Sequence, residues 1–141
     1  MGALDPSDLP EGARLLLDSA PIIYVLEEHP RYGPRFQPLF DLHARGYVRF
    51  AVTTVTIVEV LSGPFATGEE ALAHRYRSML ASWQVVPLDA AIAESAARLR
   101  GSLRLKLADA VQVASALAIN ADALVTYDHD FSKVKTLRVI S

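Results

Sequence analysis

Short continuous apolar runs alternating with segments of helical period predict an α/β fold: a three-layer α/β/α sandwich around a mostly parallel central sheet of four to five strands. Runs such as "RLLLDS" and "ALVTYD" lack the polar alternation of a sheet with one wet face, so these strands are expected to be covered on both sides. With 141 residues, 51% hydrophobic and 21% charged, the chain suits one core and not a disordered or fibrous polymer. A single domain is expected over residues 14–141, preceded by a loose arm over residues 1–13, where prolines and glycines are mixed with acids.

The elements follow in order. "RLLLDS", Arg14 to Ser19, reads as a strand that ends at Asp18, and Pro21 opens the helix "PIIYVLEEH". "RFQPLFDLHARG" places Phe36, Leu39, Phe40 and His43 at helical spacing and stops at Gly46, a suitable helix C-cap. "YVRFAVTT" is rich in β-branched and aromatic residues and forms the second strand. "VTIVEVLSGP" is then a short helix carrying Glu59 and ending at Gly63-Pro64. "TGEEALAHRYRSMLASW" shows Leu72, Tyr76, Met79 and Leu80 on one face, with Glu69 and Glu70 in its first turn. "WQVVPL" is the third strand, and Asp89 caps the helix after it. "LADAVQVASALAINA", Leu107 to Ala121, is apolar nearly all round and therefore a buried helix. "ALVTYD" and "LRVIS" supply the last strands.

Open α/β sheets bind ligands in the crevice outside the carboxyl ends of their strands. Four acids fall there or beside it: Asp18 after the first strand, Glu59 within "VTIVEVL", Asp109 at the start of the buried helix, and Asp128 after the fourth strand. Each alone suits an ordinary role, as a turn residue, a helix-dipole partner or part of a solvated face. Four together are different, because buried carboxylates raise one another's cost of ionisation unless a cation joins them. The absence of cysteine excludes disulfides, thiolate nucleophiles and cysteine zinc sites. The four histidines lack zinc-site spacing, and His129 reads as a loop residue. Oxygen-only ligation points to Mg²⁺ or Mn²⁺.

The stretches "LLLDSAPIIYVLEEHPRYG", "TTVTIVEVLSGP", "LKLADAVQVASAL" and "ALVTYDHDFSKV" together resemble the PIN-domain ribonucleases, and within them the VapC-like toxins of type II toxin-antitoxin modules. The resemblance runs from about Arg14 to the C-terminus. It implies a metal-dependent endoribonuclease that hydrolyses RNA phosphodiester bonds with Mg/Mn-activated water. Asp18, Glu59, Asp109 and Asp128 would be the catalytic and metal-holding set. Asp130 would join a second ion or cap a turn, and the hydroxyls of Ser19 and Thr126 would support the acids. The chain departs from the usual pattern at Ser19-Ala20-Pro21, where a second polar helper is missing. Also implied are a cognate antitoxin that covers the site and a homodimer.

A net charge of -2 provides no global attraction to RNA. Arg98, Arg100, Arg104 and Lys106 are the candidates to hold it, although such a cluster equally suits a helix C-terminus. Tyr24, Val25, Phe36, Leu39 and Phe40 offer an apolar groove for the antitoxin, a spacing that core packing explains as well. The alternatives are a stand-alone RNA-processing nuclease and a non-catalytic RNA- or protein-binding module. A haloacid-dehalogenase-like phosphatase, suggested by the D-x-D in "YDHDF", is disfavoured because so little chain follows it. No run has the length of a membrane span and no secretion signal is evident, so a cytoplasmic protein is expected.

Overall fold

The computed structural model describes residues 8–128, 131 and 133–141. Five parallel strands, β1 (Ala13–Leu17), β2 (Val48–Thr53), β3 (Gln84–Val86), β4 (Ala123–Val125) and β5 (Val139–Ile140), form one sheet in the order β3-β2-β1-β4-β5. The alternation of side chains along each strand splits the core in two. Leu15, Leu17, Phe50, Val52, Ala123 and Val125 face one layer, where Ile22, Phe36, Leu39, Val60 and Leu80 meet them. Leu16, Ala51 and Leu124 face the other, against Ile92, Ala96, Ala110, Val113 and Ala114. Helices α1 (Ser19–Leu26), α2 (Gly33–Ala44), α3 (Thr54–Ala66) and α4 (Glu70–Ala81) therefore cover one face, and α5 (Ala90–Leu103) and α6 (Leu107–Ala118) the other. This is the expected three-layer sandwich, with the sheet parallel throughout.

Local chemistry sets the helix ends. Thr53 and Asp89 accept hydrogen bonds from the backbone N–H groups of Thr56 (3.1 Å) and Ile92 (2.8 Å), capping α3 and α5. After α2, Gly46 takes a φ of +74°, which lets its own N–H reach His43 O (3.0 Å) and that of Tyr47 reach Leu42 O (2.9 Å). This paired closure of the last turn favours glycine.

Several expectations need correction. Helix α1 starts at Ser19, not Pro21, because Asp18 accepts from the Ser19 N–H and acts as its N-cap. Helix α3 runs through Gly63-Pro64 to Ala66. Pro64 falls near its end, and the last carbonyls are taken by the Thr67 N–H and hydroxyl and by the Glu69 N–H. Phe36 and Leu39 are fully buried and belong to the core, so they cannot line a groove; Tyr24, Val25 and Phe40 are partly buried beside them. Of the first thirteen residues, 1–7 lie outside the described residues. Leu9 is buried in the core, its carbonyl accepts from Tyr47 Oη (3.1 Å), and the Gly12 N–H donates to Tyr47 O (2.7 Å). Among the described residues, no helix is long and apolar enough to cross a membrane.

Two outcomes follow from this packing. Leu16 is fully enclosed between the sheet and the α5/α6 layer, so Leu16→Ala is expected to cost about 2–5 kcal/mol in urea unfolding. His43 stacks on Phe50 with centroids 4.2 Å apart, and burial lowers its pKa. The unfolded chain thus binds a proton there more readily than the folded one. Stability from this site is complete above the ordinary histidine range and lost as pH falls below it, and His43→Phe should flatten that limb of a Tm-against-pH profile.

Candidate active site

The strand order reverses at β1. From there the chain extends to β2 and β3 on one side and returns to β4 and β5 on the other. The crevice beyond the carboxyl ends of β1 and β4 is therefore the switch point, where open parallel sheets place their ligands. Leu17 pairs with Val125 and Leu16 with Ala51, so continuing both registers brings Asp18 alongside Thr126 and Thr53.

A hydrogen-bonded knot joins these strand ends. Asp18 Oδ1 accepts from the Ser19 N–H (2.9 Å) and from Gln112 Nε2 (3.0 Å), and Oδ2 accepts from the Thr126 hydroxyl (2.9 Å). The Gln112 amide also donates to Thr56 Oγ1 (2.6 Å), and its carbonyl accepts from Thr53 Oγ1 (2.9 Å). Thr126 Oγ1 in turn accepts from the Asp128 N–H (3.1 Å), which sets the turn leaving β4. Thr53, Thr56, Gln112 and Thr126 are all fully buried. The Asp18 carboxylate is thus held in one orientation, with both lone pairs of Oδ1 engaged and one lone pair of Oδ2 left for the crevice.

Asp18, Ser19, Glu59, Asp109, Tyr127 and Asp128 line a single open cleft of about 560 Å³. Asp109 is buried in the first turn of α6, where the helix N-terminus favours a negative charge. Glu59 stands at the exposed rim on α3. Packed protein on its inner side withdraws water and raises its pKa, the nearby Asp18 charge raises it further, and a hydrogen bond from Ser19 partly offsets both. All four expected acids are therefore brought together, with Ser19 and Thr126 as supports. Asp130 and His129 lie outside the described residues.

Arg98, Arg100, Arg104 and Lys106 do not line the cleft. Arg104 closes α5 in the left-handed conformation (φ 55°), Arg100 Nε donates to Leu105 O (3.3 Å), and Lys106 precedes the first turn of α6. Between α1 and α2 a pocket is lined by Val25, Pro30, Pro34 and Pro38, so of the residues expected there Val25 lines it. A second groove adjoins the cleft. It lies between α1, α3 and α4, is lined by Ile23, Leu26, Val60, Leu72 and Tyr76, and shares Glu59 with the acidic cleft.

Sequence reasoning missed Gln112, Thr53, Thr56 and Tyr127. A faint signal existed for Gln112, a lone amide in an apolar helix three residues after Asp109 and so on the same face.

The donors are carboxylates, the chemistry of Mg²⁺ or Mn²⁺. Among the described residues, no three His, Asp or Glu side chains close around one point.

The model of the PIN domain family matches residues 15–137. No curated protein matches the sequence. Among solved structures, a toxin-antitoxin complex from Klebsiella pneumoniae superimposes with a TM-score of 0.72 at 23% identity, covering 90% of this chain and 96% of the other. VapBC2 of Rickettsia felis, bound to a fragment of promoter DNA, gives 0.71 at 19%, covering 89% and 96%. The sarcin-ricin loop cleaving toxin VapC20 of Mycobacterium tuberculosis gives 0.68 at 16%, covering 90% and 99%.

The knot and the rim acid each yield a measurable consequence. Gln112→Leu leaves Asp18, Thr53 and Thr56 each short of a buried partner, and is expected to destabilise the fold by about 1–3 kcal/mol in urea unfolding. Glu59, with its pKa raised, binds a proton more readily folded than unfolded. Its contribution to stability is complete below the ordinary carboxylate range and declines as pH rises through the folded pKa. In metal-free buffer, Glu59→Gln is expected to raise Tm at neutral pH, a gain that calorimetry at acid pH should find gone.

Proposed function

The chain belongs to the PIN domain family, and on that premise we propose that it is a Mg²⁺- or Mn²⁺-dependent endoribonuclease, the toxin of a toxin-antitoxin pair. One observation carries the reading: four acids from separated parts of the sequence line one cleft at the switch point of a parallel sheet. Asp18 and Asp109 would be the primary holders of the ion, with Glu59 and Asp128 reaching it directly or through water. When bound, the divalent ion supplies Lewis acidity to the attacking water and to the phosphate oxygens.

The chain's own residues do the rest. Ser19, Thr126 and Gln112 keep the Asp18 carboxylate in one orientation, so little reorganisation is needed as charge develops. Glu59, at the rim of the cleft and hydrogen-bonded to Ser19, would take a proton from the attacking water. That water forms the new P–O bond as the P–O bond to the leaving ribose oxygen breaks, and solvent water in the open cleft returns a proton to that oxygen. The cleft is wide and open, which suits a single strand or a loop better than a stiff duplex.

The solved structures of similar fold include toxin-antitoxin complexes, which supports an antitoxin as partner. The groove between α1, α3 and α4 would receive its apolar face and lead it to Glu59. A homodimer remains part of this reading and is checked by light scattering.

Purified protein is expected to cleave single-stranded or loop RNA on addition of Mg²⁺ or Mn²⁺ and to stop with chelator. Asp18→Asn or Asp109→Asn should abolish cleavage while circular dichroism shows the fold retained. Unchanged activity in those variants would assign the cleavage to a contaminant. A folded preparation that takes up no divalent cation by calorimetry would overturn the metal assignment. Thr126→Val, which removes one donor from Asp18, should weaken Mn²⁺ binding roughly 10- to 100-fold.

A further inference from the structure

Beside the acidic cleft lies a cluster of rings that the hydrolytic residues do not use. Tyr24 of α1, His29 and Tyr32 of the α1–α2 connection, and Tyr127 after β4 are all half-buried. Tyr32 and Tyr127 have centroids 4.6 Å apart, Tyr24 and Tyr127 5.8 Å, and His29 and Tyr32 4.9 Å. Two exposed arginines lie over them. The Arg31 guanidinium is 5.3 Å from the Tyr32 centroid, and that of Arg35 is 5.5 Å from Tyr127. Tyr127 belongs to both regions, since it also lines the cleft with Asp18, Glu59, Asp109 and Asp128.

We propose that Tyr32 and Tyr127, with Arg31 and Arg35, form a stacking platform that seats a base of single-stranded RNA beside the phosphate to be cleaved. This rests on the nuclease reading and adds to it the surface that positions the substrate.

Three features support the platform. The first is charge: a cleft of carboxylates repels a polyanion, Arg35 lies over Tyr127 of its wall, and Arg31 lies over the adjoining Tyr32. The cluster from Arg98 to Lys106 lies off that wall. The second is chemistry, because rings interleaved with cations are what single-stranded nucleic acid binds, bases on the ring faces and phosphates on the cations. The guanidiniums themselves are exposed, so a base that takes a ring face frees an arginine for the phosphate.

The third feature is preorganisation. His29 Nδ1 accepts from the backbone N–H groups of Arg31 (3.2 Å) and Tyr32 (3.1 Å), which fixes the connection that carries the rings. Gly33 follows with the Tyr24 carbonyl so near that a Cβ would stand 3.1 Å from its oxygen. A peptide partner fits this surface less well than the apolar groove between α1, α3 and α4.

The test is steady-state cleavage of a short unstructured RNA in Mg²⁺ by the wild type and by Tyr32→Ala, Tyr32→Phe, Arg35→Ala and Arg35→Lys. Fluorescence of a 2-aminopurine base in the same RNA reports stacking. Tyr32→Ala is expected to raise KM about tenfold with kcat little changed and to lose the quenching of the base, and Tyr32→Phe to restore both. Arg35→Ala should lower the slope of log affinity against log salt by roughly one, and Arg35→Lys should recover it. If Tyr32→Ala does not fold, the salt slope of Arg35→Ala decides alone. Unchanged KM and salt slope in an active enzyme would overturn the platform, leave the nuclease reading standing and assign the rings to packing or to a protein partner. A wild-type protein that neither cleaves nor binds the RNA would overturn both.

Discussion

Gln112 is a full amide in the interior of the molecule, and every element that reaches the cleft is tied to it directly or at one remove. It stands on α6, in one helical layer, yet its amide meets Asp18 at the end of β1 and its two threonine partners at the start of α3, beneath the other layer. A buried amide with missing partners costs more than the hydrogen bonds gain when present, so the arrangement is all or nothing. A slip of β1 by one residue would put Leu17 or Ser19 in place of Asp18 and exchange the apolar faces of the strand as well. Core packing and the polar knot thus select the same register.

That agreement explains why the layers were legible in the sequence. Apolar runs, caps such as Asp89 and the glycine at 46 act over a few residues, and a linear reading sees them directly. The four acids were legible for a related reason, since each breaks an apolar run near a strand end. Their company was not. Thr53 and Thr56 look like strand and helix residues, and only folding shows that their hydroxyls bracket an amide 59 and 56 positions away.

The assignment of Phe36 and Leu39 to a groove has the same origin. Helical spacing shows that Phe36 and Leu39 share a face, but not whether that face meets solvent or the sheet. Likewise α3 continues past Pro64 because Thr67 and Glu69 take up its last carbonyls, a contact that forms only after the chain turns back. The arginines before Asp109 are close to it in sequence and off the cleft in space, whereas Arg31 and Arg35 reach its wall through Tyr32 and Tyr127.

The acids converge from both helical layers: Asp18 and Glu59 come from the α1/α3 side, and Asp109 comes from α6. On the α1/α3 side, burial and then the Asp18 charge raise the Glu59 pKa, so the crowding is expressed as a tighter hold on a proton. A cation in the cleft would relieve that crowding and draw both layers onto a common centre. Ion binding and fold stability are then linked through the same few atoms, because the knot that orients Asp18 also ties α6 to the end of β1 and the start of α3.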